Sequence, residues 1–472
     1  MTTLNTRLAR QWAKLGPQFL PFADAATPEL PVRRLLRLSL FQVTVGMSVV
    51  LLIGTLNRVM IVELGVPAWL VALMVAIPLV FAPLRAVIGF RSDTHRSVLG
   101  WRRVPYIWMG TLVQFGGLAI MPFALINLSG DSNAPVWFGQ LGAGLAFLLV
   151  GAGLHTTQTV GLALATDLAP TQARPRVVAL LSMMLLLGMA VSAVVFGALL
   201  TPFGEVRLIQ VVQGSALATL VLNGIALWKQ EARDPARTAA ARPAFRDTWH
   251  ELSAAARSTR RLVAVGLGTV AFSMQDVLLE PYGGQVLHLP VGVTTRLTAL
   301  LALGGVAGFA VATWALGRRT DPYRVAALGV LAGLVAFACV IFAAPVQSAA
   351  MFALGTALIG MGGGLFLIAT LTAAMAGAVG GFSGLALGTW GAVQAFAAGT
   401  AVALGGITRD AVAALAGSGA LGPVLDNPAT GYAAVYHIEI GLLFATLVAI
   451  GPLVGAARAP RRLHALTLST PR

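Results

Sequence analysis

Long apolar stretches alternate with short polar connections along nearly the whole chain. Each stretch has about 20 residues, the length that a helix needs to cross a bilayer core of about 30 Å. Twelve stretches are predicted to be transmembrane helices, at 39–60, 67–89, 105–128, 137–163, 177–200, 207–228, 262–284, 293–316, 324–345, 349–376, 384–408 and 432–456. The pattern therefore predicts an all-α integral membrane protein.

The predicted spans fall into two groups of six, separated by a polar stretch, which indicates two pseudo-symmetric six-helix halves. Such internal repeats are common in secondary transporters. The predicted organisation is a tail at 1–38, a first half at 39–228, a central loop at 229–261, a second half at 262–456 and a tail at 457–472.

Composition and charge agree with a membrane protein. Of the 472 residues, 57% are hydrophobic and 10% are charged, against roughly 25% charged residues in soluble domains. The net charge of +15 comes from Lys and Arg in the tails and in alternate loops, whereas the other loops carry only Arg207, Arg296 and Arg409. By the positive-inside rule, both termini and the central loop are expected in the cytoplasm. We expect contacts with membrane lipid and none with nucleic acid.

Two carboxylates lie inside an apolar span, in the segment FSMQDVLLEPYGG at 272–284. A charge at mid-bilayer costs at least about 2.5 to 3.5 kcal/mol on insertion scales, so such residues usually face a bundle interior or a partner. Asp276 and Glu280 are four residues apart and share one helix face. They predict a binding or coupling site; the alternative is a helix end near the membrane interface with hydrated carboxylates.

The first half offers a partner for this segment. If the halves are aligned as a duplication, Asn57 and Arg58 stand opposite Gln275 and Asp276. A lone buried charge is very costly, so we predict that Arg58 pairs with Asp276; the alternative places Arg58 at the outer interface. The predicted intramembrane polar site consists of Asn57, Arg58, Gln275, Asp276 and Glu280.

Two histidines lie in predicted spans. His155 is followed by Thr156, Thr157 and Gln158, and a neutral imidazole can ligate the magnesium of a chlorophyll-type ring; the alternative is an interhelical hydrogen bond. His437 and Glu439, near the start of the last span, are expected to be hydrated. No metal-ligand cluster emerges.

Enzymatic chemistry is not predicted. Serines are scattered, no nucleophile elbow follows a strand, and the intramembrane carboxylates lack a paired acid–base arrangement. The many glycines fit close helix packing rather than a phosphate-binding loop, which requires a strand, a turn and a helix.

Two charged turns resemble motifs of the major facilitator superfamily. The segment GFRSDTHRSVLGWRR at 89–103 is similar to a lengthened Gly-x-x-x-Asp-Arg-x-Gly-Arg-Arg loop, and LGRRTDPYR at 316–324 is its counterpart in the second half. DLAPTQARPRV at 167–177 resembles the superfamily's Pro-Glu-x-Arg-Gly-Arg turn. The resemblance implies a cytoplasmic latch between the halves; topogenic charge is the alternative. The implied latch residues are Arg85, Asp93, Arg96, Arg102, Arg103, Asp167, Arg174 and Asp321.

Five segments, taken together and in order, resemble the PucC/LhaA family of photosynthetic purple bacteria, a branch of the major facilitator superfamily. They are LRLSLFQVTVGM at 36–47, GTLNRVMIVELGVP at 54–67, APLRAVIGFRSDTHRSVLGWRRVPYIW at 82–108, FSMQDVLLEPYGG, and LGTWGAVQAFAAG at 387–399. The resemblance implies the twelve-helix fold of the superfamily, and a place in the bacterial inner (intracytoplasmic) membrane.

The same resemblance implies an assembly factor for light-harvesting antenna complexes. Such a protein would deliver bacteriochlorophyll to newly inserted antenna polypeptides, or shepherd them. The implied partners are the antenna alpha and beta polypeptides, bacteriochlorophyll, and the pigment-synthesis and membrane-insertion machinery. Two alternatives stay open: a proton-coupled secondary transporter of a small solute, in which Asp276 or Glu280 titrates, and a scaffold that transports nothing. The motifs do not distinguish core from peripheral antenna as the client.

Overall fold

The computed structural model describes residues 30–80, 85, 88–89, 91–92, 100–130, 133–170, 173–231, 259–376 and 383–455. In these residues the chain forms twelve main helices, and eleven of them are long and apolar enough to cross a membrane; the described part of α2 is shorter. The helices are α1 Val32–Glu63, α2 Ala68–Val80, α3 Val104–Ser129, α4 Val136–Leu168, α5 Arg174–Leu199, α6 Glu205–Leu227, α7 Thr259–Gln285, α8 Val291–Gly317, α9 Pro322–Val346, α10 Ala349–Ala376, α11 Ser383–Gly417 and α12 Ala429–Leu453.

The predicted all-α membrane class is therefore confirmed. In lipid, only helices and closed barrels satisfy their own backbone hydrogen bonds, so apolar runs of this length become helices. The largest differences lie at helix ends: α1 begins at Val32 rather than 39, and α11 continues to Gly417 rather than 408. Apolar runs mark only the part of a helix in lipid, whereas polar residues can extend it beyond.

The twelve helices pack as two six-helix halves, α1–α6 and α7–α12. Within the first half, α3 packs on α4 and α1 on α5; within the second, α10 packs on α8 and α9. The halves meet through two helix pairs, α5 with α8 and α2 with α11, and through the later part of α1 with α7 and α8. We call the end of the bundle where α1 begins and α12 ends the terminus side, and the opposite end the far side.

The halves are packed together on the far side. Gly197 near the end of α5 and Gly292 at the start of α8 lie so close that a methyl group on Gly292 would come within 2.6 Å of the Gly197 carbonyl oxygen. Beside them, Arg296 donates a hydrogen bond of 2.9 Å to the Thr201 hydroxyl. One continuous apolar core extends through both halves, while a second cluster, around Leu38, Phe41 and others, is confined to the first half. Small residues thus let two helices of different halves touch.

We expect Gly292→Ala to lower the unfolding temperature in detergent micelles. The added methyl group has to displace α5, and overpacking of this kind costs about 1 to 3 kcal/mol. Gly317→Ala at the other end of α8 is the matched control, because a side chain there meets open space and alanine favours a helix by about 1 kcal/mol over glycine. Equal unfolding temperatures for the two variants would contradict the proposed contact.

Candidate functional site

The helix α7 is interrupted in the part of the bundle that is nearer to the far side. The α-helix Thr259–Ser273 is followed by a tight 3₁₀ turn over Met274–Val277 and then by a second helical piece, Leu279–Gln285. The cause is in the sequence: the ring of a proline removes one amide donor and excludes the carbonyl four residues earlier. For Pro281 that carbonyl belongs to Val277. An apolar bundle has no water to satisfy it, so another residue must donate to it.

Asn57 of α1 supplies that donor. Its Nδ2 donates to the Val277 carbonyl oxygen at 2.8 Å, and also to the Ile53 carbonyl oxygen of its own helix at 2.8 Å. The side chain is fully buried. Since Asn57 belongs to the first half and Val277 to the second, the interruption of α7 is repaired across the boundary between the halves.

Glu439 of α12 repairs the other side of the interruption. Its Oε1 accepts a hydrogen bond of 2.8 Å from the backbone N–H of Gln275, and the side chain is 0% exposed. The expectation that Glu439 is hydrated at the membrane interface is wrong, because α12 already begins at Ala429 and carries this residue into the core. Sequence reasoning missed Glu439 as a site residue; its position inside an apolar helix was the available signal.

Glu280 lies between both halves. Its Oε1 accepts a hydrogen bond from the Thr298 hydroxyl of α8, and its carboxyl group faces Gly54 of α1, where a methyl group would come within 3.2 Å of the carboxyl carbon. Glu280 is 5% exposed. The prediction that this carboxylate faces a bundle interior, rather than a hydrated helix end, agrees with its place in the structure.

Both buried glutamates keep one free acceptor. Glu280 Oε2 and Glu439 Oε2 have no hydrogen-bond partner among the residues that the structure describes. A buried carboxylate oxygen without a donor is costly as an anion, and it can be stabilised by a proton, a cation or a donor group of a ligand. The chemical capacity of this cluster is therefore to hold a proton or a polar ligand group.

Arg58 does not pair with Asp276, and that prediction is wrong. The ion pair of Arg58 is with Glu63, and its Nη2 also donates to the Leu289 carbonyl oxygen at 3.1 Å. The reason is that α1 is wound as a π-helix over Val59–Glu63, where backbone hydrogen bonds join residues five apart and bring such residues close together. Alignment of the halves assumed equal winding and could not anticipate this. Asp276, which is half-buried, accepts a hydrogen bond of 2.6 Å from Gln275 Nε2.

A second polar group closes the far side between α2, α7, α11 and α12. Arg409 Nη1 lies 2.6 Å from Asp410 Oδ1, and Arg409 Nη2 donates to Gln285 Oε1 at 2.6 Å. The Tyr432 hydroxyl donates to the same Gln285 oxygen at 2.7 Å. Asp410 Oδ2 in turn accepts from the Trp69 backbone N–H at 2.7 Å, at the start of α2. Sequence reasoning had placed Arg409 only as a loop charge on this side.

Charged residues on the terminus side form contacts within each half. Arg103 Nε donates to Asp167 Oδ2 at 3.1 Å, and Arg102 also contacts Asp167, so the start of α3 is tied to the end of α4. Glu231 accepts from the backbone N–H groups of Arg102, Arg103 and Val104, which caps the start of α3.

In the second half, Asp321 accepts from the N–H of Tyr323 at 2.8 Å and of Gly455 at 2.8 Å, which joins the start of α9 to the end of α12. The predicted latch between the halves is therefore not what these described contacts form. Asp167 and Asp321 each contact residues of their own half.

The other residues of the predicted latch are Arg85, Arg174, Asp93 and Arg96. Arg85 donates to Gln158 Oε1 at 2.9 Å and to Thr159 Oγ1 at 3.0 Å, both on α4. Arg174 is the first residue of α5. Asp93 and Arg96 lie outside the described residues.

His155 is half-exposed on α4, one turn before the Arg85 contacts. Its Nδ1 is buried and has no hydrogen-bond partner among the described residues. The structure does not bring His155 together with the α7 interruption: the residues that do meet there come from α1, α7, α8 and α12. Its role as a pigment ligand stays a prediction.

We expect Glu439→Leu to destabilise the protein and Glu439→Gln to spare most of that loss. Leucine leaves the Gln275 amide buried without an acceptor, which costs about 1 to 3 kcal/mol, whereas the glutamine amide oxygen can still accept. The unfolding temperature in detergent micelles is the measurement. If both variants unfold alike, the hydrogen bond to Gln275 does not hold the interruption in place.

A double-mutant cycle distinguishes the two partners considered for Arg58. Glu63→Gln should lower the unfolding temperature more than Arg58→Met, because it leaves the Arg58 guanidinium, whose side chain is 4% exposed, without its ion-pair partner. The Glu63 side chain that Arg58→Met leaves unpaired is 36% exposed and can be hydrated. We expect a coupling free energy of about 0.5 to 3 kcal/mol between Arg58→Met and Glu63→Gln. The coupling between Arg58→Met and Asp276→Asn should be much smaller. Stronger coupling of Arg58→Met with Asp276→Asn than with Glu63→Gln would contradict the Arg58–Glu63 ion pair.

The chain matches known proteins along most of its length. The family described as "PUCC protein" matches residues 55–458. The protein named "Protein PucC" of Cereibacter sphaeroides is 53% identical over 463 residues, which cover 97% of this chain and all of that protein. A Rhodobacter capsulatus protein described as "Uncharacterized protein in puhA-bchM intergenic region" is 57% identical and covers 94% of each chain.

A more distant relative and a solved structure add to these matches. The "Bacteriochlorophyll synthase 44.5 kDa chain" of Rhodobacter capsulatus is 30% identical over 90% of this chain and 97% of that protein. Among solved structures, a mutant of the nucleoside transporter NupG has a TM-score of 0.67 at 13% identity, covering 89% of this chain and 99% of the other. At that identity the likeness shows the fold alone, and it confirms the predicted fold of the major facilitator superfamily.

Proposed function

The chain belongs to the PucC protein family, and from this membership we propose that it is an assembly factor for bacterial light-harvesting antenna complexes. The observation that carries the proposal is the match to a PucC protein over 97% of this chain. The family match, over residues 55–458, spans the α7 interruption. In this role the protein delivers bacteriochlorophyll to newly inserted antenna polypeptides, or shepherds those polypeptides.

The proposed setting is the photosynthetic inner membrane, with the terminus side in the cytoplasm. The multi-pass architecture is in place, and the basic tails and loops favour this orientation through the positive-inside rule. The proposed partners are the antenna alpha and beta polypeptides, bacteriochlorophyll and membrane lipid, with pigment-synthesis and membrane-insertion machinery nearby. We propose that the chain catalyses no reaction and that pigment is its cargo.

The closed far side supports a role in which the protein handles a pigment or an antenna polypeptide. Asn57 and Val277 join the halves there, as do Trp69 and Asp410, so a large apolar client would approach from the lipid or from the terminus side. Many large apolar side chains on the outer helix faces are exposed, Phe342 and Phe444 among them. In a bilayer these faces meet acyl chains, and a hydrophobic pigment or an antenna helix can reach them by lateral diffusion.

A proton-coupled transporter of a small solute is the second candidate, and the free oxygens of Glu280 and Glu439 favour it. Buried ionisable groups at an interrupted helix are typical of coupling sites in transporters. Transport would require the far side to open, which breaks the hydrogen bonds that Asn57 and Trp69 form with the second half. The solved neighbour contributes only the fold to this alternative.

Deletion of the gene in its photosynthetic host tests the assembly role. We expect the membranes to lose antenna absorbance while the antenna polypeptides and bacteriochlorophyll are still made, because only their assembly depends on this protein. Absorption spectra of isolated membranes, set against extracted total pigment, measure this, and the wild-type gene supplied in trans is the control. Normal antenna complexes in the deletion strain would rule out the assembly role, whatever happens to solute uptake.

A further inference from the structure

A groove opens on the outer face of the second half, away from the α7 interruption. It has a volume of about 820 Å³ and lies where the ends of α7 and α9 meet the start of α12. This volume falls within the range of about 300 to 1,000 Å³ that is usual for small-molecule sites. Its wall includes Tyr282, Phe342 and Leu425, together with two histidines, His288 and His437. Phe342 and Leu425 are exposed, so the groove is open to the outside of the bundle.

His437 is held in one tautomer by its own helix. Its Nδ1 lies 2.7 Å from the carbonyl oxygen of Ala433, one turn earlier on α12. A carbonyl can only accept, so Nδ1 carries the proton, and in the neutral ring the lone pair is on Nε2. Histidines that ligate metals characteristically donate their other ring N–H to a backbone carbonyl or a carboxylate, which fixes both ring orientation and tautomer. His437 is exposed, so an incoming metal can reach it.

The surroundings of His437 favour one class of metal-containing ligand. A bare cation needs several ligands, and no cluster of three or more His, Cys, Asp or Glu side chains suited to a metal exists in the described parts of the chain. The metal of a planar tetrapyrrole already has four ring nitrogens and needs one axial ligand. The flat, apolar faces of such a ring also match a wall of aromatic and aliphatic side chains, by burial and by offset stacking.

We propose that this groove binds a magnesium tetrapyrrole of the bacteriochlorophyll type, with His437 Nε2 as the axial ligand. The inference rests on the proposed function, in which the protein handles this pigment, and it names the place where the pigment is held. It differs from the prediction for His155, whose Nδ1 has no acceptor in the described structure and whose ring therefore lacks the orienting hydrogen bond. The open side of the groove gives the pigment a path in and out.

Binding of magnesium and metal-free pigment to the purified full chain tests the proposal. The wild-type protein in lipid nanodiscs is titrated with bacteriochlorophyll a and with bacteriopheophytin a, which lacks the metal, and bound pigment is measured by absorbance. We expect the magnesium pigment to bind at least about tenfold more tightly, and His437→Ala to abolish this preference while leaving the metal-free pigment almost unchanged. Added imidazole should restore magnesium-pigment binding to His437→Ala, since it replaces the missing ligand.

Two variants serve as comparisons. Ile438→Ala removes a neighbouring exposed side chain of α12 and should bind both pigments as the wild type does. His155→Leu should retain the preference for the magnesium pigment. If His155→Leu instead loses this preference while His437→Ala keeps it, the pigment site lies on α4 and the groove assignment is wrong. Equal binding of the two pigments to the wild type, or a groove that takes up only lipid, would overturn it as well.

The outcome is separable from that of the deletion experiment. If the deletion strain lacks antenna complexes and His437→Ala still prefers the magnesium pigment, the proposed function stands and the groove is the wrong place. If antenna assembly is normal without the gene and His437→Ala loses the magnesium preference, the groove binds pigment and the assembly role fails.

Discussion

Pro281 imposes a requirement that much of the surrounding architecture meets. Its ring excludes the Val277 carbonyl from the helical hydrogen bond, and the membrane interior offers no water in exchange. Asn57 from α1 donates to that carbonyl, while Glu439 from α12 accepts from the Gln275 amide on the other side of the break. One interrupted turn thereby fixes the positions of three helices, and one of these belongs to the other half. The geometry of the polar cluster follows from this repair, which adds one contact between the halves to those of α5 with α8 and α2 with α11.

The two ends of the bundle are built differently. On the far side, glycine contacts and hydrogen bonds cross from one half to the other, as between Gly197 and Gly292 or Trp69 and Asp410. On the terminus side, the contacts of two carboxylates lie within one half each: Asp167 contacts Arg102 and Arg103, and Asp321 caps α9.

α12 connects the interior cluster with the outer groove. His437 and Glu439 are two residues apart, and since a helix turns by about 100° per residue they point to nearly opposite faces. Glu439 holds the α7 interruption, while His437 faces the groove that we assign to a tetrapyrrole. Tyr436 and Tyr282 pack edge to face between these regions, with ring centroids 5.5 Å apart. A pigment seated against this wall would therefore lie one layer of aromatic rings from the buried carboxylates.

The sequence by itself determined the membrane class, the two six-helix halves and the family. Apolar length and family motifs are local features, and a bilayer leaves an apolar run of 20 residues only one structure to adopt. It also indicated Asn57, Gln275, Asp276 and Glu280 as unusual, because polar groups inside a span are costly wherever they lie. Which of them touch was beyond the sequence, since that depends on how each helix is wound.

Only the tertiary structure decided the pairings. The π-helical winding of α1 gave Arg58 to Glu63 instead of Asp276, and the early start of α12 brought Glu439 into the core. The fold also placed the exposed His437 in the wall of the groove, with its Nδ1 bonded to the Ala433 carbonyl oxygen. The physical reason is common to all three: a side chain finds its partner in three dimensions, where a shift of one residue in winding changes the helix face on which it lies.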